Sequence, residues 1–254
     1  MAKNNESTLG RIYRQVYEGL CGKHPRPRFW HFQYLDAFYL YRSLKRLLPN
    51  TIGDTVLDVG CGEMPYRMWF SRPVRHIGID TQPGEGVDYV IDGVSQWPLE
   101  SESVDIVLCT QVLEHVEDLP LVLEEISRVL RSEGTLIASF PFLYNEHGAP
   151  NDYRRFSAHG AKLLWPGWRV VSLERQGGVG STLAVLWLNW LEVAMNRSFV
   201  TRILKAPLLP FWIIGSLLAN LLGLLLDRLD GTESFYSNVL IVLEKTTEQS
   251  ERAE

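Results

Sequence analysis

Seven short runs rich in β-branched residues lie between Asp54 and Glu244: TVLDVG (55–60), RHIGID (75–80), VDYVI (87–91), VDIVLC (104–109), GTLIASF (134–140), WRVVSLE (168–174) and, after a long gap, NVLIVLE (238–244). Stretches of helical spacing separate them. In the clearest, EDLPLVLEEISRVLRSEG, the residues Leu119, Val122, Leu123, Ile126, Val129 and Leu130 share one face and Gly134 stands just beyond the expected end. Strands alternating with helices predict an α/β fold, a mostly parallel sheet covered by helices on both faces.

The long gap holds a different pattern. PLLPFWIIGSLLANLLGLLL, Pro207 to Leu226, carries no charge at all, and TLAVLWLNWLEVAMN before it is nearly as apolar but interrupted by Asn189 and Glu192. NRSFVTRILK, with Arg197, Arg202 and Lys205, links the two. Gly215, Ala219 and Gly223 recur every four residues, with Ser216 and Asn220 beside them, a stripe along which a second helix can approach.

The chain has 254 residues, 46% of them hydrophobic, enough for one substantial core. A net charge of -5 speaks against nucleic acid as a partner, because phosphate contacts supply most non-specific affinity. Residues 1 to 50 nevertheless hold nine Lys or Arg against three Asp or Glu. Three cysteines (Cys21, Cys61, Cys109) with no CxxC pair fit neither a disulfide framework nor a structural zinc site; His147 and Asp152 are of types that ligate divalent ions, but no HExxH spacing supports them, so no metal is expected. No apolar stretch precedes the first arginines, so the expected location is cytoplasmic.

VLDVGCGEMPY sets a strand before a glycine turn, with a helix start expected at Pro65. A dinucleotide site would need a third glycine where Pro65 stands and would not place Asp58 in the strand end. S-adenosylmethionine (SAM) has no pyrophosphate to cradle, but it has an ammonium group that a carboxylate such as Asp58 can approach. Asp80, twenty residues after Gly60 at the next strand end, is spaced to accept from both hydroxyls of a ribose. Asp92 follows the third strand, where it can read an adenine edge. As single residues, both acids are equally explained as turn starters.

The run from VLDVGCGEMPYR through IGIDTQ, YVIDG and WPLESESVDIVLCTQVLEHVEDLPLVLEEISRVLRSEGTLIASFP resembles the class I SAM-dependent methyltransferases, in particular the type 11 group, over about residues 52 to 165 and the last strand. The resemblance implies a Rossmann-like seven-stranded sheet of order 3-2-1-4-5-7-6, its seventh strand antiparallel, with SAM across the carboxyl ends of the strands. It further implies that Asp58, Gly60, Cys61 and Gly62 line the methionine part, that Asp80 and Thr81 hold the ribose, that Asp92 and Gly93 flank the adenine, and that Gln111 closes over the cofactor. The expected domains are an N-terminal helical cap (1–50), a SAM-binding domain (51–178 and 232–246) and a hydrophobic helical insertion (179–231).

Methyl transfer needs a positioned acceptor and a place for its proton. His115 in QVLEHVED and His147 in FLYNEHGAPNDYRRFS are the candidate bases, with Tyr153 beside them; each histidine has a plainer account as a capping or turn residue. Arg154 and Arg155 are candidates for an anionic acceptor. The aromatic, basic stretch RPRFWHFQYLDAFYLYRSLKRLL either lines an apolar acceptor pocket or packs as a helix.

With the sixth and seventh strands as antiparallel neighbours, everything between Gly177 and Tyr236 leaves and returns on one side, so a single membrane crossing is not expected. Besides a two-span hairpin, two readings of 181–229 follow. Either the helices make a peripheral, monotopic contact with the inner face of the membrane, or they form a lid or homodimer surface. Under the first, the acceptor is an amphiphilic or lipid-linked small molecule or saccharide, methylated at oxygen. Under the second it is a soluble metabolite. A SAM-binding subunit without chemistry is the remaining alternative.

Overall fold

The computed structural model describes residues 8–24, 26–93 and 95–246. The opening residues of the basic N-terminal segment and the side chain of Arg202 lie outside the described residues. The chain divides into two compact units, one joining the residues up to Tyr39 with Gly177–Ser237, the other joining Leu40–Gln176 with the residues from Asn238 onward.

The second unit is built on the sheet. Its strands are β1 (Thr55–Val59), β2 (Arg75–Asp80), β3 (Tyr89–Val90), β4 (Val104–Thr110), β5 (Leu130–Pro141), β6 (Arg169–Gln176) and β7 (Asn238–Glu244), in the order β3-β2-β1-β4-β5-β7-β6. The first five pair in parallel, whereas β7 runs antiparallel to both its neighbours. The expected architecture is therefore the observed one. Although β7 comes last it lies inside the sheet, and Val239 to Leu243 are buried accordingly.

The helix after β4, α3 (Leu119–Val129), starts where Asp118 accepts from the Leu121 N–H and buries Val122, Ile126 and Val129. It ends sooner than its periodicity predicts. Leu130 already belongs to β5, so Gly134 lies inside a strand and not at a helix cap. A helix expected from Pro65 is replaced by a single 3-10 turn, Arg67–Trp69. The residues around that turn serve the core instead: Met64 and Tyr66 are buried, and Tyr66 packs edge-on with Tyr41 and near Trp69.

The first unit contains α1 (Thr8–Cys21), the start of α2 (Tyr34–Leu47), and the hairpin α5 (Val179–Asn196) and α6 (Phe199–Asp227); the short helix Ala158–Lys162 of the sheet unit is α4. FVTRILK forms the first two turns of α6, leaving Arg197 and Ser198 as the link. Ser198 and Thr201 exchange capping bonds at that start. At the opposite end the orphan N–H groups of α5 are met by carboxylates from the end of α6, Ser181 N–H by Asp227 at 2.9 Å and Val179 N–H by Asp230 at 2.8 Å.

α6 is inverted relative to a soluble helix. Its buried positions are Lys205, Ser216, Asn220 and Gly223, whereas Phe211, Ile214, Leu218, Leu221, Leu222 and Leu225 are exposed. Lys205 is matched by Glu192 at 2.6 Å, and Asn220 donates to the carbonyls of Phe29 and His31. Along α5, Leu183, Trp187, Trp190 and Val193 are also exposed. Among the described residues one helix segment, Ile203–Asp227, is long and apolar enough to cross a membrane, with a mean hydropathy of 2.0. The N-terminal aromatics pack among themselves and on this hairpin: Tyr17 meets His31 and Phe32, and Phe32 meets Trp212.

Candidate active site

The carboxyl ends of the parallel strands bring most of the predicted cofactor residues together. Gly60 and Cys61 both donate to the Ile79 carbonyl, folding the turn after β1 onto the end of β2. Gly60 has φ +65°, and a Cβ there would lie 2.5 Å from a methyl of Val112, so only glycine fits. A Cβ on Gly62 or Gly93, both also at positive φ, would meet nothing within 4 Å. These two backbones are open to an incoming group.

Asp80 holds the turn, accepting from Gly62 N–H at 3.0 Å and Gln82 N–H at 3.1 Å. The carboxylate thus sits at the strand end beside Thr81, half-buried, with its position set by backbone. Asp92 is exposed and accepts from the Ser95 N–H and hydroxyl, a turn-starting geometry next to Gly93. Cys61 is buried, and burial, with the Asp58 and Asp80 carboxylates nearby, pushes its thiol up to about 12. A thiol held protonated in this way is a poor nucleophile.

Asp58 is buried, and its carboxylate faces the buried His76 of β2 at 3.6 Å, too long for a hydrogen bond. Burial raises its pKa, with His76 opposing. Gln111 follows β4 at φ +56°. Its amide donates to Ser139 at 3.1 Å and to Asn238 at 2.8 Å, tying β4 to β5 and β7. Asn238 continues the chain of bonds to Gln176, and Gln176 to Ser43.

Past β4 the chain makes a 3-10 turn, Leu113–His115, against the loop that follows β5. The loop brings both candidate histidines together, their ring centroids 4.7 Å apart and nearly perpendicular. His115 Nδ1 faces the Asn151 carbonyl at 2.5 Å; His147 Nδ1 lies 3.3 Å from the Asn145 carbonyl and 3.4 Å from Asp152. Donation to these oxygens assigns the proton to Nδ1 of each ring and the lone pair to Nε2. Burial, followed in weight by the Asn145 carbonyl that opposes it, moves the His147 pKa below its usual value, so that ring is neutral at pH 7. Beside the pair stands Glu114, a fully buried residue that the sequence offered no signal for beyond its place before His115.

Arg154 and Arg155 both bond to oxygens of the protein. Arg154 donates to the carbonyls of Val116 and Glu117, and Arg155 to both oxygens of Asp152 and to the carbonyls of Tyr144, Asn145 and Arg154. That pairing holds the Asp152 carboxyl far below the usual carboxylate range. Tyr153 is turned outward, 43% exposed, with its hydroxyl on Asn151. It does not join the histidine pair.

Against known proteins, the family model described as a methyltransferase domain matches residues 57–138. The chain is 32% identical over 97 residues to a malonyl-[acyl-carrier protein] O-methyltransferase of Serratia marcescens, covering 34% of this chain and 38% of that one. It is 30% identical over 96 residues to a probable phthiotriol/phenolphthiotriol dimycocerosates methyltransferase of Mycobacterium ulcerans, covering 32% and 37%. The chain thus spans well under half the length of these curated relatives. Among solved structures, the [4+2]-cyclase SpnF superposes with a TM-score of 0.55 at 16% identity, over 83% of this chain and 82% of that one, a likeness of fold alone.

Proposed function

We propose that this chain, which carries a class I SAM-dependent methyltransferase domain of the type 11 group, methylates an oxygen of an amphiphilic or lipid-linked acceptor at the cytoplasmic face of a membrane. The observation that carries the membrane part is the inversion of α6, with Ser216, Asn220 and Gly223 inside and Phe211, Leu218 and Leu222 outside. In water so large an apolar face is costly; lipid removes that cost. The neighbouring strands β6 and β7 support a contact that enters and leaves one leaflet, because the hairpin departs and returns at residues paired to one another, Gln176 and Asn238. Relatives named for an acyl-carrier protein and for dimycocerosates fit an acceptor of this kind.

SAM, when bound, supplies a methyl group on a sulfonium, open to in-line displacement. In our reading the open backbones of Gly62 and Gly93 pass beside it, Asp80 and Thr81 take the ribose, and Asp92 takes the adenine. Asp58 acts through the turn rather than by contact. With the cofactor bound, an acceptor oxygen would take the methyl group as the carbon–sulfur bond breaks, and an Nε2 lone pair of His115 or His147 would receive the hydroxyl proton. We assign the cap to 1–50, the cofactor domain to 51–178 and 232–246, and the insertion to 179–231.

The test is transfer of label from methyl-labelled SAM to native membrane extract, followed by phase separation, with vesicle flotation in parallel. Label in the organic phase and flotation lost in Phe211→Glu/Leu222→Glu support the reading. Label confined to the aqueous phase, or a concentration-dependent dimer with no flotation, replaces it with a soluble acceptor or with a second copy on the apolar face.

A further inference from the structure

We propose that Glu114, His115 and His147 form a binding site for a divalent transition-metal ion of the zinc class. One carboxylate oxygen of Glu114 and one ring nitrogen of each histidine lie within 4.8 Å of one another, and His115 Nε2 stands 3.8 Å from Glu114 Oε1. An ion with bonds of about 2.1 Å in tetrahedral array holds its ligands roughly 3.4 Å apart. On binding, the three groups would draw together by up to about 1.4 Å.

The donor set is the first argument. Two imidazoles and one carboxylate match the preference of zinc-like ions and leave a fourth position for an oxygen from outside. The surroundings are the second. A metal-bound histidine donates its other ring N–H to a carbonyl or carboxylate, which fixes the tautomer and aims the lone pair. Both histidines already do this, His115 toward Asn151 and His147 toward Asn145 and Asp152. Asp152 cannot itself be a ligand, because Arg155 takes both its oxygens and the His147 N–H adds a further bond. It is instead the outer partner that steadies His147. Confinement is the third. A Cβ on Gly148 would meet His115 Cε1 at 3.1 Å, so the loop lies close against the ring and restricts its rotation.

The ligand geometry had no signature in the sequence, because Glu114 and His115 are adjacent while His147 lies on the next strand's loop. For its consequence, though not for binding itself, the inference rests on the reading of this site as the acceptor end of a methyltransferase. The ion would take the lone pairs otherwise offered to the acceptor proton; an acceptor hydroxyl at the fourth position would be acidified and would release its proton to solvent water.

The probe is Co2+, titrated into chelator-treated, tag-free protein and followed by its visible ligand-field absorption. We expect one equivalent per chain, displaced by Zn2+, lost in His115→Ala and in His147→Ala, and weakened about 10- to 100-fold in Asp152→Asn. Thermal melts accompany each variant, and His147→Gln serves if a first variant fails to fold. Absence of the absorption in folded wild-type protein, or its persistence in both folded histidine variants, overturns the site. Calorimetric titration with S-adenosylhomocysteine separates the two proposals: Co2+ binding without nucleoside binding leaves the metal site standing and removes the methyltransferase reading, and the converse removes only the metal.

Discussion

Gly180 and Gly223 face each other where α5 crosses α6, so closely that a Cβ on Gly180 would lie 2.4 Å from the Gly223 carbonyl oxygen. Substituting Gly180 by alanine must therefore part the helices, at a cost of about 1–3 kcal/mol. Gly215, on α6 with open space around it, gives the opposite sign: Gly215→Ala stabilises by about 0.5–1 kcal/mol through helix propensity. Chemical denaturation of both variants distinguishes a backbone contact from a general intolerance of change in the hairpin.

His31 gives the N-terminal unit a pH dependence of defined sign. Burial lowers its pKa from 6.5 to about 4, Nδ1 accepts the Gln33 N–H at 3.0 Å, and the ring stacks on Phe32. Because the folded value lies below the unfolded one, the unfolded chain binds the proton first, and stability falls as pH drops from about 6.5 to about 4. The loss amounts to about 2 kcal/mol once solvent screening is allowed for. Melting curves at pH 7, 5.5 and 4 should show a decline that His31→Asn flattens.

Replacing Asp80 by alanine removes the acceptor of two turn N–H groups and the proposed partner of the ribose. Affinity for S-adenosylhomocysteine should fall at least about 10-fold, with a stability loss of about 1–3 kcal/mol from the unsatisfied turn. An Asp92→Ala variant, whose carboxylate is exposed and bonded to Ser95, should lose less of either. Calorimetry beside thermal melts resolves the two effects.

His115→Ala and His147→Ala should each lower the rate of methyl transfer by about 10²–10⁴-fold while leaving nucleoside affinity within a few-fold of wild type. Arg154→Ala should act differently, through stability, because its guanidinium ties the loop to the Val116 and Glu117 carbonyls. Rates measured at saturating SAM, with circular dichroism as the check on folding, tell these apart.

Runs such as VLDVG and VDIVLC are legible as strands because each is long enough in apolar, β-branched residues to need cover on both faces. Pro65 misleads for a physical reason. It suits a first helical turn, but Met64 before it takes φ +50° and is drawn into the core with Tyr66, where packing outweighs the local preference. α6 passes through Pro207 and Pro210, so the helix begins eight residues before the uncharged run does. In the site, Asp80 and the glycines follow from spacing along the chain. Glu114, the Gln111 amide's turn toward Asn238 and the commitment of Arg154 and Arg155 depend on contacts between distant strand ends, which no local pattern records.

The place of β7 between β5 and β6 sets an order of events during synthesis. A chain emerges from the ribosome amino end first, so the open edge of β5 and the unpaired β6 must wait until residues 238–244 are made. The whole of the apolar hairpin, Val179–Asp227, emerges in that interval. For a nascent chain this exposes a bare strand edge and the greasiest segment together, and an early docking of the hairpin on lipid would shield the one while the other awaits its partner.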